Sequence, residues 1–427
     1  MRTFAARLRY SDDMKHKERH YMRTVISILY ALTVTALCAA TIIGEYEGLD
    51  YAMEKIYHAW WFVLLWAALA ATGIAHIVRM RMRDVPTLLL HCSLVLILLG
   101  ALVTHIWGAR GSIHLRKGSY AVFYDAEDRR MRQLPFAIRL DNFTVQLYPE
   151  NGNVADYKSE ITIAGMDRSI LRRGEVSMNN ILSHGGWRFY QWSYDDDGMG
   201  ATLAINHDPA GIAVTYAGYL LLFVSISVTA AAKCRGIRRR RRQSGKLTTF
   251  EKVTTRTASA LSALIAAAGA LFFVTQTCGT NPWISQMQPV LNSPWLSIHV
   301  SVITIAYILL ILIFVTSIAA LCGGGNGDNL RLLSLQLLHP AMAMLAIGIF
   351  TGAIWANVSW GTYWGWDPKE VWALVTMMVY AIPLHSRSLP WLRKPRPFHI
   401  FTAAALLTML ITFLGVNLLL SGMHSYV

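Results

Sequence analysis

The sequence predicts a polytopic α-helical membrane protein, with about nine transmembrane helices and a small β-rich extracytoplasmic domain. Three observations lead there. Of 427 residues, 54% are hydrophobic and only 15% are charged. The apolar residues come in blocks of about 20, the length a helix needs to cross a bilayer. One segment of about 100 residues between two such blocks instead shows partial polar–apolar alternation. The blocks fall near 24–43, 59–78, 86–108, 211–232, 257–276, 294–321, 333–355, 368–386 and 399–421.

The net charge of +14 reports orientation rather than a polyanionic partner. Of 39 Lys and Arg, seven precede the first block, three lie at 79–83, ten at 233–256 and four at 387–396. The short loops on the other side hold only Lys55 and Lys369. By the positive-inside rule the N-terminus is cytoplasmic and the C-terminus lies outside. The run Arg238 to Arg242 is then a topology anchor. The segment 109–210 sets twelve basic residues beside thirteen acidic ones, so no basic stripe for nucleic acid arises there. Cys38, Cys92, Cys234 and Cys322 fall in spans or on the inner side, which leaves Cys278 alone in an outer loop. No external disulfide framework and no C-x-x-C is possible. Cys278 is either a participant in thiol chemistry or a passive free cysteine. The first apolar block is long and followed by others, so it reads as a span, not a cleaved signal peptide.

In chain order, spans one to three bracket an outer loop and a short basic inner loop. The third span opens Asp84-Val-Pro-Thr-Leu-Leu-Leu-His91 and puts His91 about five residues into a helix, roughly 8 Å from the inner face. A histidine at that depth is costly unless paired or liganded. Within the outer domain 109–210, stretches 134–147, 159–163 and 187–193 read as strands separated by Gly, Asn and Asp clusters. A small sandwich or barrel serving as scaffold or docking module follows. The polybasic loop 233–246 places a boundary near residue 250, dividing the chain into halves 1–250 and 251–427.

The second half is organised around Trp360-Gly-Thr-Tyr-Trp-Gly-Trp-Asp-Pro-Lys-Glu-Val-Trp372, in a loop over 356–372. It holds four of the fourteen tryptophans in thirteen positions. Asp367 is placed as an N-cap, Pro368 at the first helical position, and Glu370 where a capping box puts its carboxylate. Trp355, Trp360, Trp364 and Trp366, spaced by Gly361 and Gly365, cannot share one helix face. They form either an aromatic belt at the membrane surface or a platform for a flat aromatic ligand; density and glycine spacing favour the platform.

Depth then sorts four histidines. His299 follows Ser293 and Pro294, which start a helix, and so lies in its second turn near the outer face. His424 follows the helix stop Gly422, at the same face as the Trp-rich loop. His385 comes about 17 residues after Pro368, roughly 26 Å inward, at the depth of His91. Two imidazoles and an aromatic platform at one depth suit an iron porphyrin with two axial histidines. His91 and His385, one from each half, allow a second such site. Pro383 either re-aims His385 through a kink or is absorbed by neighbouring helices. His58, His76, His105, His339 and His399 read as interfacial residues bonded to water or backbone.

The Trp360–Trp372 block resembles the "WWD" signature of haem-handling proteins. Pro289–Val300, Leu384–Arg387 and Gly415–Tyr426 are similar to the CcsA (ResC) member of that group. His91–Gly100, Leu134-Pro-Phe and Phe189-Tyr-Gln-Trp-Ser193 resemble CcsB (ResB). Over nearly its whole length the chain resembles a CcsB–CcsA fusion, the System II cytochrome c synthase, with an outer domain shorter than in many such fusions.

The resemblance implies a multi-pass protein of the bacterial cytoplasmic membrane whose substrate and bound ligand is haem b. Haem would be accepted on the inner side, exported, and joined through its vinyl groups to the Cys-x-x-Cys-His motif of an apocytochrome c. The haem iron would be held by His91 and His385 at the inner site and by His299 and His424 at the outer one. Trp360, Trp364, Trp366, Asp367 and Trp372 would form the platform. No side chain here need be the nucleophile, because the incoming cysteine thiols are. The expected partners are apocytochrome c, membrane lipid and a thioredoxin-like thiol reductase, with no nucleic acid. Two rivals stand beside this: a haem transporter or chaperone feeding a separate ligase, and a small-molecule channel or transporter that binds no haem.

Overall fold

The computed structural model describes residues 2–148, 152, 154–178, 180–244, 293–323, 327–386 and 388–420. The first helix, α1 (Arg2–Glu47), is followed by a short α2 (Leu49–Ala52) and a π-helical turn over Met53–Tyr57. Then come α3 (Trp60–Arg79) and α4 (Val85–Trp107). Beyond the β domain lie α5 (Pro209–Ser244), α6 (Pro294–Cys322), α7 (Gly327–Ser359), α8 (Pro368–Ala381), α9 (Pro395–Leu410) and, after a π turn, α10 (Val416–Leu419). Among the described residues seven helices are long and apolar enough to cross a membrane. They are α1 from His20, α3, α4, α5 to Thr229, α6, α7, and the α9–α10 unit.

Nine spans were expected, and two do not appear in that set. The block 257–276 and the boundary near 250 lie outside the described residues. The block 368–386 is not one long helix. Its first 14 residues form α8, and Ile382–His385 then tightens into a 3₁₀ turn. Pro383 has no N–H to donate into an α ladder, and a 3₁₀ turn is the usual local answer.

Two helix pairs pack along their lengths, α4 on α5 and α6 on α7. The first approaches closely because it has glycine on both sides. A Cβ on Gly100 would run into Thr215, and one on Gly218 would come within 2.7 Å of Ile97 Cγ1. The helix α1 reaches across to the second half. Tyr30 Oη donates to the Met378 carbonyl at 2.7 Å, and Trp372 Nε1 donates to Thr41 Oγ1 at 3.1 Å. Around these bonds Leu37, Ala40, Phe62, Val371, Val375 and Met378 form one buried apolar cluster. The two bonds also fix register: α1 and α8 run antiparallel.

The β domain is inserted between α4 and α5. Its strands are β1 (Ala109–Arg116), β2 (Tyr120–Ala126), β3 (Met131–Leu147), β4 (Val154–Ala164), β5 (Ile170–Ser177), β6 (Leu182–His184), β7 (Trp187–Tyr194) and β8 (Gly200–His207). They make one antiparallel sheet in the order β5-β4-β3-β2-β1-β8-β7-β6. Alternate residues such as Ile113, Leu115, Leu203 and Ile205 point into a single apolar core. The sheet curls until its end strands meet: Arg172 on β5 donates to the Ser183 carbonyl on β6, and Leu182 packs over Gly174. Of the two expected forms, this is the barrel-like one. On its exposed side the Arg116 guanidinium holds the Asp195 and Asp197 carboxyls below the usual carboxylate range. Because β1 and β8 are neighbours, the chain leaves α4 and enters α5 at one place, where Asp208 Oδ1 caps α5 by accepting from Gly211 N at 2.9 Å.

Candidate functional site

At the end of the bundle away from the β domain, the structure brings two of the sequence-predicted histidines together. His91 is the seventh residue of α4, and His385 closes the 3₁₀ turn after α8. Their ring centroids lie 6.1 Å apart with planes at 89°. His91 Nδ1 is 2.8 Å from the Thr87 carbonyl oxygen, and His385 Nδ1 is 2.9 Å from that of Ala381. A carbonyl only accepts, so both Nδ1 atoms carry a proton, and in the neutral ring that leaves the lone pair on Nε2. The spacing is also right for one metal ion between them. Two metal–nitrogen bonds of about 2 Å, plus roughly 1.2 Å from each nitrogen to its ring centre, give about 6.4 Å. Among the described residues no group of three or more His, Cys, Asp or Glu is placed to hold a metal ion. Two oriented imidazoles are a donor set that suits an iron porphyrin.

The other end of the bundle carries the Trp-rich loop. His299 lies in the second turn of α6, and its Nδ1 is 2.7 Å from the Gly348 carbonyl oxygen on α7. Gly352 gives the ring its room, since a Cβ there would stand 2.6 Å from Nδ1. The His299 ring lies 6.5 Å from Trp355 at 23°, and Trp355 meets Trp360 edge-on at 4.8 Å. Ser293 occupies the N-cap of α6 but makes no side-chain cap bond; its carbonyl accepts from Ser297 N at 3.3 Å, so Pro294 supplies the start signal. His424 and Cys278 lie outside the described residues.

The loop itself turns on two left-handed residues, Gly361 at φ 86° and Trp366 at φ 57°. For a residue with a Cβ that conformation costs about 1–2 kcal/mol. Trp366 is held there by stacking on Tyr57 at 4.5 Å and 14°, with Phe62 edge-on at 5.5 Å. Trp364 meets Trp366 edge-on at 5.9 Å, and its buried Nε1 has no hydrogen-bond partner among the described residues. Asp367 caps α8 by accepting from Lys369 N at 2.9 Å. Glu370 reaches further back than a capping box and accepts from Gly365 N at 2.8 Å. Trp372 is turned toward α1. Of the expected platform residues, Trp360 and Trp364 lie in the loop beside Trp355 and Trp366, while Trp366 and Trp372 brace the loop against the first helices.

The β domain grips this loop. Arg188 on β7 donates to Asn357 Oδ1 at 2.9 Å and to its carbonyl at 2.8 Å. Asn206 on β8 donates to the Gly361 carbonyl, and the Tyr190 ring fills the space a Cβ on Gly361 would need. Thr104 at the end of α4 donates to Asp208 Oδ2 at 2.6 Å and accepts from Tyr363 Oη at 2.6 Å. Burial raises the Tyr190 and Tyr363 phenols above their ordinary value, so both stay neutral. An open cleft of about 410 Å³ flanks the seam, lined in part by Ser183, Arg188, Pro209, Tyr216 and Asn357. Sequence reasoning missed these gripping residues. Each is a lone polar side chain at an element end; only Asp208, directly before Pro209, carried a helix-cap signal.

Comparisons with known proteins find two families along the chain. Residues 244–424 match the family described as Cytochrome C assembly protein, and residues 78–216 match the ResB-like family. Cytochrome c biogenesis protein CcsA of Chlamydomonas reinhardtii is 40% identical over 153 residues, covering 33% of this chain and 43% of that protein. Protein NrfI of Wolinella succinogenes is 38% identical over 184 residues, 39% of this chain and 20% of that protein. Cytochrome c biogenesis protein CcsA of Parasynechococcus marenigrum is 34% identical over 174 residues, 32% of this chain and 57% of that protein. The chain therefore spans between a fifth and somewhat over half of the length of these relatives. A ResB-like half followed by a cytochrome c assembly half makes this chain a multi-pass member of the cytochrome c biogenesis family, with the make-up of a System II CcsB–CcsA fusion.

Proposed function

We propose that the protein exports haem b across a bacterial cytoplasmic membrane and attaches it to the Cys-x-x-Cys-His motif of an apocytochrome c. The supporting observation is the His91–His385 pair, two imidazoles from different halves of the chain with both Nε2 lone pairs available at iron-spanning distance. We place the N-terminus and this pair on the cytoplasmic side, and the Trp-rich loop, the β domain and the C-terminus outside. Sixteen residues of α4 separate His91 from Trp107, about 24 Å of helix that export must bridge.

At the outer side His299 and His424 are the axial ligands. The Gly348 carbonyl holds the His299 ring through Nδ1, as the Thr87 and Ala381 carbonyls hold the rings of the inner pair. Trp360 and Trp364 flank the porphyrin, while Trp366, Asp367 and Trp372 fix the shape of the loop. Each thioether forms by addition of a cysteine S–H across a vinyl C=C, making one C–S and one C–H bond without an oxidant. The protein contributes proximity and orientation. The cysteines must arrive as free thiols, which gives a thioredoxin-like reductase its place upstream. The open cleft beside Arg188 and Asn357 offers the incoming polypeptide a position next to the loop.

A haem transporter serving a separate ligase has no need of a domain that clasps the Trp-rich loop. Co-expression of this protein alone with an apocytochrome c in a maturation-deficient host separates the two readings. Holocytochrome is the result expected of a synthase; haem-loaded protein without holocytochrome supports the transporter. In the same assay His299→Gly or His424→Gly should abolish cytochrome assembly, and added imidazole should partly restore it by filling the vacant coordination position. Normal assembly in both variants would remove them as ligands.

A further inference from the structure

The reading of the inner histidine pair leaves one cation beside it unexplained. Arg23 lies at the inner end of α1, directly before the apolar block that starts at residue 24. Among the described residues it takes part in no ion pair, and its Nε is buried without a hydrogen-bond partner. A buried guanidinium N–H without an acceptor is costly, so a partner is called for.

Register places that cation next to the histidines. The Tyr30–Met378 bond pins α1 to α8 at one level. Arg23 lies seven residues from Tyr30, two helical turns toward the inner end and on the same face, about 10 Å away. His385 lies seven residues from Met378 in the same direction, about 12 Å away once the 3₁₀ turn is included. The two therefore reach the same depth. A third helix converges on them, because His76 in the last turn of α3 is within electrostatic reach of both Arg23 and His385. Arg23 and His76 lie outside the two stretches that match known families, residues 78–216 and 244–424.

We propose that Arg23, with His76 beside it, is the carboxylate-binding side of the inner histidine pair and recognises the propionates of the iron porphyrin held there. The proposal rests on the inner-pair reading above. A guanidinium suits the role: its planar fork matches a carboxylate with two parallel N–H···O bonds, and it stays charged in an apolar setting. Iron would be fixed by two neutral imidazoles and the ring's rotation about the iron axis by a charge at its edge. The competing use of Arg23 is to snorkel toward lipid headgroups.

The test uses full-length protein carrying His299→Ala and His424→Ala, so that only the inner site reports. Iron(III) mesoporphyrin and its dimethyl ester are titrated in turn and followed by the Soret band. The parent should prefer the free diacid by about ten- to a hundredfold, the range one charge-assisted bond supplies. Arg23→Gln should lose that preference while binding the diester as the parent does, and Arg23→Lys should keep part of it. Equal binding of diacid and ester by the parent, or an undiminished preference in Arg23→Gln, would overturn the proposal. So would equal loss of both probes in Arg23→Gln and Arg23→Lys, which marks a structural residue. Adding His91→Ala or His385→Ala tests the underlying reading separately: unaltered titrations there reject the inner pair, whatever Arg23 does.

Discussion

His91→Ala and His385→Ala, made singly, are each expected to lower holocytochrome c yield by more than about a hundredfold, beyond the tenfold to hundredfold cost of losing a partner that merely orients a metal ligand. The argument runs through geometry and depth. Each ring has its Nδ1 committed to a backbone carbonyl one turn back, which leaves one Nε2 per ring to share a metal. The outer histidines are untouched by either substitution, so a loss would mean that haem does not reach them by another path. Yield is read by haem staining of the co-expressed cytochrome, with membrane level of the variant as the control. Normal yield in both variants would reduce the two residues to structural histidines.

Gly361→Val should be the most damaging single change in the Trp-rich loop. At φ 86° a β-branched residue is strained, and its Cβ has no room beside the Tyr190 ring. Overpacking of this kind costs about 1–3 kcal/mol, and the left-handed conformation about 1–2 more. The strain falls on the seam where Asn206 donates to the Gly361 carbonyl and Arg188 holds Asn357. The β domain and loop should separate locally, seen as faster hydrogen exchange over residues 356–367 and loss of cytochrome assembly, while haem at the inner pair is retained. Protection and assembly equal to the parent would show that the clasp is not needed.

Much of this was legible in the sequence because membrane helices announce themselves by length and apolarity. Depth counting from Pro86 and Pro368 paired His91 with His385 before any contact was known. Register along a helix is rigid, whereas what lies beside a helix is set by tertiary packing. The same counting was silent on α1, which docks on α8 through Tyr30 and Trp372 and so brings Arg23 to the depth of the inner pair. Pro383 was visible as an anomaly, but only the structure shows the 3₁₀ turn that ends α8 early. In the β domain β3, β4 and β7 were readable from their alternation. β5 was not, because Arg172, Arg173 and Gly174 interrupt its pattern at the sheet's edge. Trp366 read simply as part of a flat platform, yet its ring is stacked on Tyr57. That partner sits in a π-helical turn over 300 residues away, and no local pattern points to it.

The central claim is that His91 and His385 together hold one haem iron, and the spectrum of the purified full-length protein tests it most directly. With His299→Ala and His424→Ala in place, the ferric protein should retain copurified haem with a six-coordinate, low-spin, bis-imidazole Soret and paramagnetic-resonance signature. Adding His91→Ala or His385→Ala to that background should abolish the signature. A His91→Ala/His385→Ala protein with otherwise native histidines that keeps full haem content, a bis-imidazole spectrum and normal cytochrome yield would contradict the account.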